Sequence, residues 1–262
     1  EQTTTTTIQS NTFSLENYPS GTEYTLTVQV LGYQNDEENF ITSLPSEITV
    51  YKQDIPVINI SDYNLIISAQ QGESYAIEVD LNGTDAITET VSAEGDSVSF
   101  ALKDYDFIAG EHTVKVIHLG DGETIFDSGK AALTFTQLAP IDTISIENGV
   151  ASVDAAGVNQ NADIKFVVSN TEVVYEVEAS EHEFNTTDIL SENYLAAGEY
   201  NIAVLVCGDG SSTFSYRVDG VEAASSTASF TVLQAPTAYV ADKASSILAY
   251  SAIQSAQNYN IY

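Results

Sequence analysis

One spacing constrains this chain more than any other. Tyr24, His112 and Tyr200 stand 88 residues apart (112 − 24 and 200 − 112). Each opens an alternating apolar run, and each is followed eight positions on by a glycine: Gly32, Gly120 and Gly208. Each also follows a glycine and an acid, namely Gly21 and Glu23, Gly110 and Glu111, and Gly198 and Glu199. A position, a pattern and both flanks recurring three times mark an internal repeat, each copy being one supersecondary unit. A second marker is Ile55-Pro56, Ala139-Pro140 and Ala235-Pro236, with separations of 84 and 96 (140 − 56 and 236 − 140). The unequal spacing says that loops vary while the strands keep their register. Proline suits such junctions because it cannot donate to a strand ladder.

The repeats read as strands because their apolar period is two. Tyr24, Leu26, Val28 and Val30 point one way while Thr25, Thr27 and Gln29 point the other. Tyr200, Ile202, Val204 and Val206 repeat this, and His112, Val114, Val116 and His118 form the middle version. Val, Ile, Tyr and Thr suit a pleated, half-buried surface. The second module is expected to carry strands near 55–60, 63–69, 74–81, 86–92, 96–102, 111–119 and 130–137. The third carries them near 141–146, 149–154, 162–169, 172–178, 182–185, 199–207 and 225–233, with a longer loop after the Tyr200 strand. The fold expected is all-β: tandem seven-stranded sandwiches in a beads-on-a-string array.

Aligned on these markers, residues 54–137 and 138–234 are complete modules. Residues 1–53 are the C-terminal half of a module, and 235–262 the N-terminal half of another. Half a sandwich exposes its apolar face and unpaired strand edges. Two expectations follow. Either the polypeptide continues at both ends, or the terminal strands of one subunit complete the half-sandwich of the next. The second is strand donation, as in chaperone–pilin systems, and its head-to-tail contacts give an open filament.

The segment Ser20-Gly21-Thr22-Glu23-Tyr24-Thr25-Leu26-Thr27-Val28 resembles the sixth strand of a fibronectin type III domain, with its tyrosine corner. Ile247 to Ser251 and Ala256 to Tyr262 resemble that family's second and third strands. The resemblance is diffuse, spans the whole chain and implies an Ig-like sandwich. In the tyrosine corner the ring packs on the core and the hydroxyl bonds nearby backbone. Carried over, Tyr24 and Tyr200 take that role, while His112 replaces the tyrosine in the second module. The chain has no tryptophan, and Tyr250 sits where the family places its core Trp. The resemblance implies a repeat region of a large bacterial-type surface protein.

Charge narrows the function. Seven basic residues stand against 38 acidic ones, for a net charge of −31. Such a surface repels nucleic acid and anionic lipid. No run approaches the roughly 18 apolar residues of a membrane span, so no direct membrane insertion is expected in this segment. The single cysteine, Cys207, forbids an internal disulfide and reads as a small apolar residue at a strand end.

Little in the chain suits catalysis. HExxH, GxSxG, CxxC and phosphate-binding glycine loops are all missing. His112 and His118 fall on core-facing strand positions, and alternation would place His182 on the opposite face from Glu181 and Glu183. No catalytic residue is assigned. Calcium is the one cofactor the acidic loops suit, through Asp36-Glu37-Glu38, Asp104 with Asp106, Asp121 with Glu123, and Asp209 in the third module. It needs six to eight oxygens, and neighbouring modules could share them at a joint. Sequons at Asn59, Asn82 and Asn185 offer glycosylation sites. The expected role is therefore a stalk or fibre subunit outside the cell, partnered end to end by neighbouring modules or identical subunits. The alternatives are an adhesion module binding a glycan or host protein through loops such as 208–224, and an accessory region of a secreted hydrolase.

Overall fold

The computed structural model describes residues 4–8, 10, 12–33, 38–81, 83, 86–170, 174–179, 182–185 and 195–259. The chain gathers into two compact units. The first comprises residues 1–103 and 112–135, the second 104–111 and 136–262.

The first unit opens on an antiparallel ribbon of β1 (Thr22–Val28) and β2 (Ser46–Lys52), in which Tyr24 faces Val50 and Leu26 faces Ile48. It continues with β3 (Ile58–Ser61), β4 (Asn64–Ser68), β5 (Ser74–Asp80), β6 (Ala86–Ser92), β7 (Ser97–Ala101), β8 (Gly110–His118), the short β9 (Ile125–Phe126) and β10 (Ala131–Gln137). One layer is β3-β4-β7 and the other runs β10-β8-β5-β6. In the lettering of Ig-like sandwiches these are the A, B, E and C′, C, F, G strands, an order found in fibronectin type III domains. The alternation anticipated from the sequence is the physical cause. Leu65 and Ile67 of β4, Ile77 and Val79 of β5, and Val114 and Val116 of β8 are fully buried, while their neighbours along each strand face outward.

The second unit repeats the plan. Its elements are β11 (Ile144–Glu147), β12 (Val150–Val153), β13 (Asp163–Ser169), β14 (Val174–Ala179), β15 (Glu183–Asn185), β16 (Gly198–Cys207), β17 (Thr213–Phe214), β18 (Arg217–Val218), β19 (Val221–Glu222) and β20 (Ser226–Val232). The sheets are β11-β12-β15 and β14-β13-β16-β20, again ABE and C′CFG. Ile164, Phe166, Val168, Ile202, Val204 and Val206 form its interior with Tyr200 and Phe184. A final hairpin of β21 (Ala238–Asp242) and β22 (Ile247–Tyr250) pairs Val240 with Leu248 and Ala238 with Tyr250. The fold is thus all-β, with seven-stranded sandwiches built on one strand order.

The repeat positions show what that order does. Tyr200 stacks on Phe230 at 5.6 Å and His112 on Phe135 at 5.5 Å, each linking strand F to strand G. Tyr200 donates its hydroxyl to the Ala196 carbonyl at 3.1 Å, and Tyr24 donates to Pro19 at 2.7 Å. His112 keeps the core packing but sends Nδ1 to the Asp80 carbonyl at 2.9 Å, on strand C. One turn of the pattern further, Val116 and Val204 are 0 % exposed, whereas Val28 is 61 % exposed. These three valines share a repeat position and differ only in what opposes them. β8 lies between β5 and β10 and β16 between β13 and β20, each beneath a second sheet. Among the described residues β1 is an edge strand with β2 alone beside it.

That contrast sets a measurable difference. Val116→Ala should cost the first unit about 2–3 kcal/mol, from lost burial plus the cavity left behind. Val28→Ala should stay within about 0.5 kcal/mol, as surface substitutions do. Denaturant unfolding of the two variants checks this.

Candidate functional site

The features that set this chain apart lie in the turns between strands F and G. The turn after β8 begins at Gly120. A Cβ there would sit 1.9 Å from the Ile125 carbonyl oxygen, so only glycine lets the chain fold back this closely. Asp121 Oδ1 then accepts the backbone N–H groups of Glu123, Thr124 and Ile125 at 2.8, 2.9 and 2.7 Å. The turn after β16 is the same object 88 residues later. A Cβ on Gly208 would meet the Thr213 carbonyl oxygen at 2.5 Å, and Asp209 Oδ1 accepts from Ser211, Ser212 and Thr213 at 2.7, 2.8 and 2.9 Å. A fourth bond closes both turns: Gly120 N–H to Asp127 Oδ1 at 2.8 Å, and Gly208 N–H to Ser215 Oγ at 2.9 Å.

These turns hold out a two-residue strand. In the first unit β9 pairs in parallel with the end of β2, Tyr51 opposite Ile125 and Lys52 opposite Phe126. Tyr51 N–H donates to Thr124 at 2.8 Å and Gln53 N–H to Phe126 at 3.0 Å. The second unit holds the tail of β10, and there β17 pairs with it in the same sense, Thr136 opposite Thr213 and Gln137 opposite Phe214. Thr136 N–H donates to Ser212 at 2.9 Å and Leu138 N–H to Phe214 at 3.0 Å. Each unit therefore pairs an F–G turn in parallel with the tail of the G strand that precedes it in the chain. A buried polar side chain lies beside each pairing. Lys52 is buried, and its Nζ donates to the carbonyls of Leu15, Glu16 and Tyr18 at 2.8 to 2.9 Å. Gln137, also buried, donates to the Leu138 and Ser215 carbonyls. Phe214 is fully buried and meets Phe107 edge-on at 6.3 Å.

The residues singled out from sequence fall as follows. Asp104 and Asp106 lie before β8, and Asp121 and Glu123 after it, at opposite ends of a nine-residue strand. At about 3.3 Å per residue that is roughly 30 Å, too far for one calcium ion to take ligands from both pairs. Asp121 spends Oδ1 on its own turn. Asp36 and Glu37 fall outside the described residues, as do Glu181 and Asn82. Among the described residues no three His, Cys, Asp or Glu side chains converge as a metal site would require. His182 precedes β15 with φ of +59° and points Nε2 at the Ala162 carbonyl, 3.3 Å away, so the strand alternation assumed for it does not apply. His118 is buried and stacked on Tyr75; its Nε2 lies 3.7 Å from Glu73 Oε1, beyond hydrogen-bond reach. Asn59 is exposed on the edge strand β3, and Asn185 ends β15 half-buried. Cys207 ends β16, and burial pushes its thiol up from the usual range.

Sequence reasoning found the glycines and Asp209 but treated the acids as ion ligands. The joint residues Lys52 and Gln137 were missed, although a lysine in so acidic a chain, at the last position of an apolar strand, was a usable signal.

No protein-family model and no curated protein matches the chain. Among solved structures it is similar to the FN1–FN3 domains of chicken CNTN1 at 13 % identity, over 80 % of this chain and 75 % of that one, with a TM-score of 0.30. It is also similar to a two-domain fibronectin type III segment of chicken tenascin at 8 % identity, over 68 % of this chain and 100 % of that one, with a TM-score of 0.29. The fold assignment rests on strand order and register, and neither similarity adds to it.

The Asp209 turn makes a pH-dependent contribution. Burial alone would push its carboxyl up, yet the Thr213 N–H, the Ser212 hydroxyl and the Ser211 N–H together hold it far below the ordinary carboxylate range. A depressed pKa stabilises the fold above the unfolded-state value and loses that stabilisation as pH falls through the folded one. Asp209→Asn should therefore cost the second unit on the order of 1 kcal/mol near neutrality, a figure already discounted for exposure. The gap to the parent should close progressively below about pH 4. Thermal melts of both proteins from pH 7 to pH 2 check the sign.

Proposed function

We propose that this chain is a structural repeat region of an extracellular surface protein, acting as a stalk or fibre subunit. It is built from modules 54–137 and 138–234 flanked by half-modules at 1–53 and 235–262. The observation that carries this is the joint itself. The same glycine–aspartate turn makes the same parallel two-residue pairing in both units, with the same pair of backbone hydrogen bonds. A chain that repeats this pairing as faithfully as its cores is suited to a structural repeat. Modules on a flexible tether need no backbone pairing at the junction. A turn that spends its carboxylate on its own backbone is shaped for strand addition and leaves little for a substrate.

The acidic surface fits this role. It keeps neighbouring molecules apart by like-charge repulsion and favours solubility. No helix of the described residues is long and apolar enough to cross a membrane.

The test is location on the source cell. Antibodies raised against the 262-residue chain should label intact cells or shed fibres, and external protease should remove the label. Label seen only after lysis would overturn the proposal. Specific capture of one glycan, lost on replacing 208–224, would favour the adhesive alternative instead.

A further inference from the structure

One of the three sequons sits where the fold leaves it free to react. Asn59-Ile60-Ser61 lies in β3, an edge strand of the β3-β4-β7 sheet among the described residues. Asn59 faces Ile66 across the ladder, and Ser61 faces Asn64. Ile58 and Ile60 pair with Ile67 and Leu65, which are fully buried, so these two isoleucines turn toward the core. Asn59 and Ser61 therefore stand two residues apart on the outer face, and both are exposed. Neither side chain hydrogen-bonds another described residue. Asn185, by contrast, is half-buried and already partnered.

The face itself is the second observation. Its outward positions include Asn59 and Ser61 of β3, Ile66 and Ser68 of β4, and Ser97 and Ser99 of β7, and none of these is charged. The acids nearest in sequence, Asp62 and Asp96, lie in loops at opposite ends of the sheet. The corresponding sheet of the second unit, β11-β12-β15, keeps the same register. There Ser152 faces Glu183 as Ile66 faces Ser99, and Glu147 closes strand A as Ser61 does. That sheet thus carries two exposed glutamates, Glu147 and Glu183, where the sequon's sheet carries Ser61 and Ser99. In a chain with 38 acidic residues, a sheet surface without carboxylates is a departure that its repeat does not share. An uncharged exposed edge invites pairing with other strands, and charge is a common protection. A neutral, hydrated group anchored at Asn59 protects it as well.

We infer that Asn59 is glycosylated, with Asn59-Ile60-Ser61 as the acceptor and the sugar lying over the β3-β4-β7 face. The co-reactant is a sugar activated as a diphosphate ester, used by a transferase of the source cell. Asn59 Nδ2 attacks C1 of that sugar. The N–C1 bond forms and the C1–O bond to phosphate breaks. The amide gives up one proton to the transferase, and the diphosphate leaves with the bonding electrons. The acceptor also needs the Ser61 hydroxyl, and β3 holds it on the same face as Asn59. The lack of carboxylates suits the donor, whose diphosphate is repelled by acids such as Glu147 and Glu183 on the other sheet. Once attached, the sugar covers Ile66 opposite Asn59 and hydrates the edge. The inference rests on the extracellular reading, because such acceptors are used in secreted chains.

The experiment is mass mapping of the protein purified from its source cell. Cleavage before Asp54 and Asp62 isolates residues 54–61 from the other two sequons. That peptide should be heavier than its sequence by whole sugar residues. Asn59→Gln and Ser61→Ala, expressed in the same cell, should each lose the added mass. Ser61→Ala keeps the asparagine, so its loss shows that the acceptor sequence is read. Both variants should keep the circular dichroism of the parent, since neither residue is buried or hydrogen-bonded through its side chain. Protein at the cell surface with Asn59 unmodified overturns the inference and leaves the array reading standing. Protein confined to the interior with Asn59 unmodified overturns both. Sugar found only at Asn82 or Asn185 overturns the inference, as does added mass on residues 54–61 that survives Ser61→Ala.

Discussion

The structure depends on covering one apolar face. Strand F of every module carries four inward positions, and no hydrogen bond within its own sheet takes them out of water. Only the opposing A–B–E layer does that. Where it is present the valines are fully buried, and burial contributes about 1.5–3 kcal/mol for each. Where no such layer lies opposite among the described residues, the valine of the same register, Val28, is 61 % exposed. The β1–β2 ribbon survives in that state because its lower end is held: Val50, Leu15 and Lys52 are buried, and β9 adds a third strand beside β2. A two-stranded ribbon without such help is marginal in water.

The joints follow from the same economy of edges. The end of strand G leaves the sandwich with unpaired N–H groups, which invite non-specific pairing. The next module's F–G turn takes up those donors, and the glycine and aspartate make the turn rigid enough to offer its carbonyls. Lys52 shows how the chemistry adapts from joint to joint. Where Gln137 donates to the turn across the joint, Lys52 reaches back and ties three carbonyls of its own module's preceding loop. The pairing is retained while the side chain changes its partner.

The strands were legible because a period of two with a buried face leaves little choice of register. All fourteen strands expected for 54–234 are present within a few residues. The tyrosine positions were legible because an 88-residue spacing repeats them. What could not be read was parallel pairing across a joint. β9 and β17 are two residues long, too short for any periodicity, and their partners lie 74 and 77 residues away in sequence (125 − 51 and 213 − 136). The backbone role of the acids was hidden for a related reason. Asp121 and Asp209 look like ion ligands when counted as carboxylates; their backbone donors emerge only once the glycine before each brings the chain back on itself.

The few basic residues show how so acidic a chain folds at all. Lys115 and Lys130 both reach Glu78, whose carboxyl is lowered chiefly by its hydrogen bond from Lys115. Lys165 pairs with Glu176 between strands C and C′, and Arg217 closes its hairpin on the Gly220 carbonyl. Apart from Lys52, each of these sits on a surface where exposed pairs contribute little to stability. The acids are therefore not neutralised. They are spread over outward strand positions, where water solvates them and the inward face stays apolar. Alternation separates the charge from the core, so the acidity of the chain costs its interior nothing.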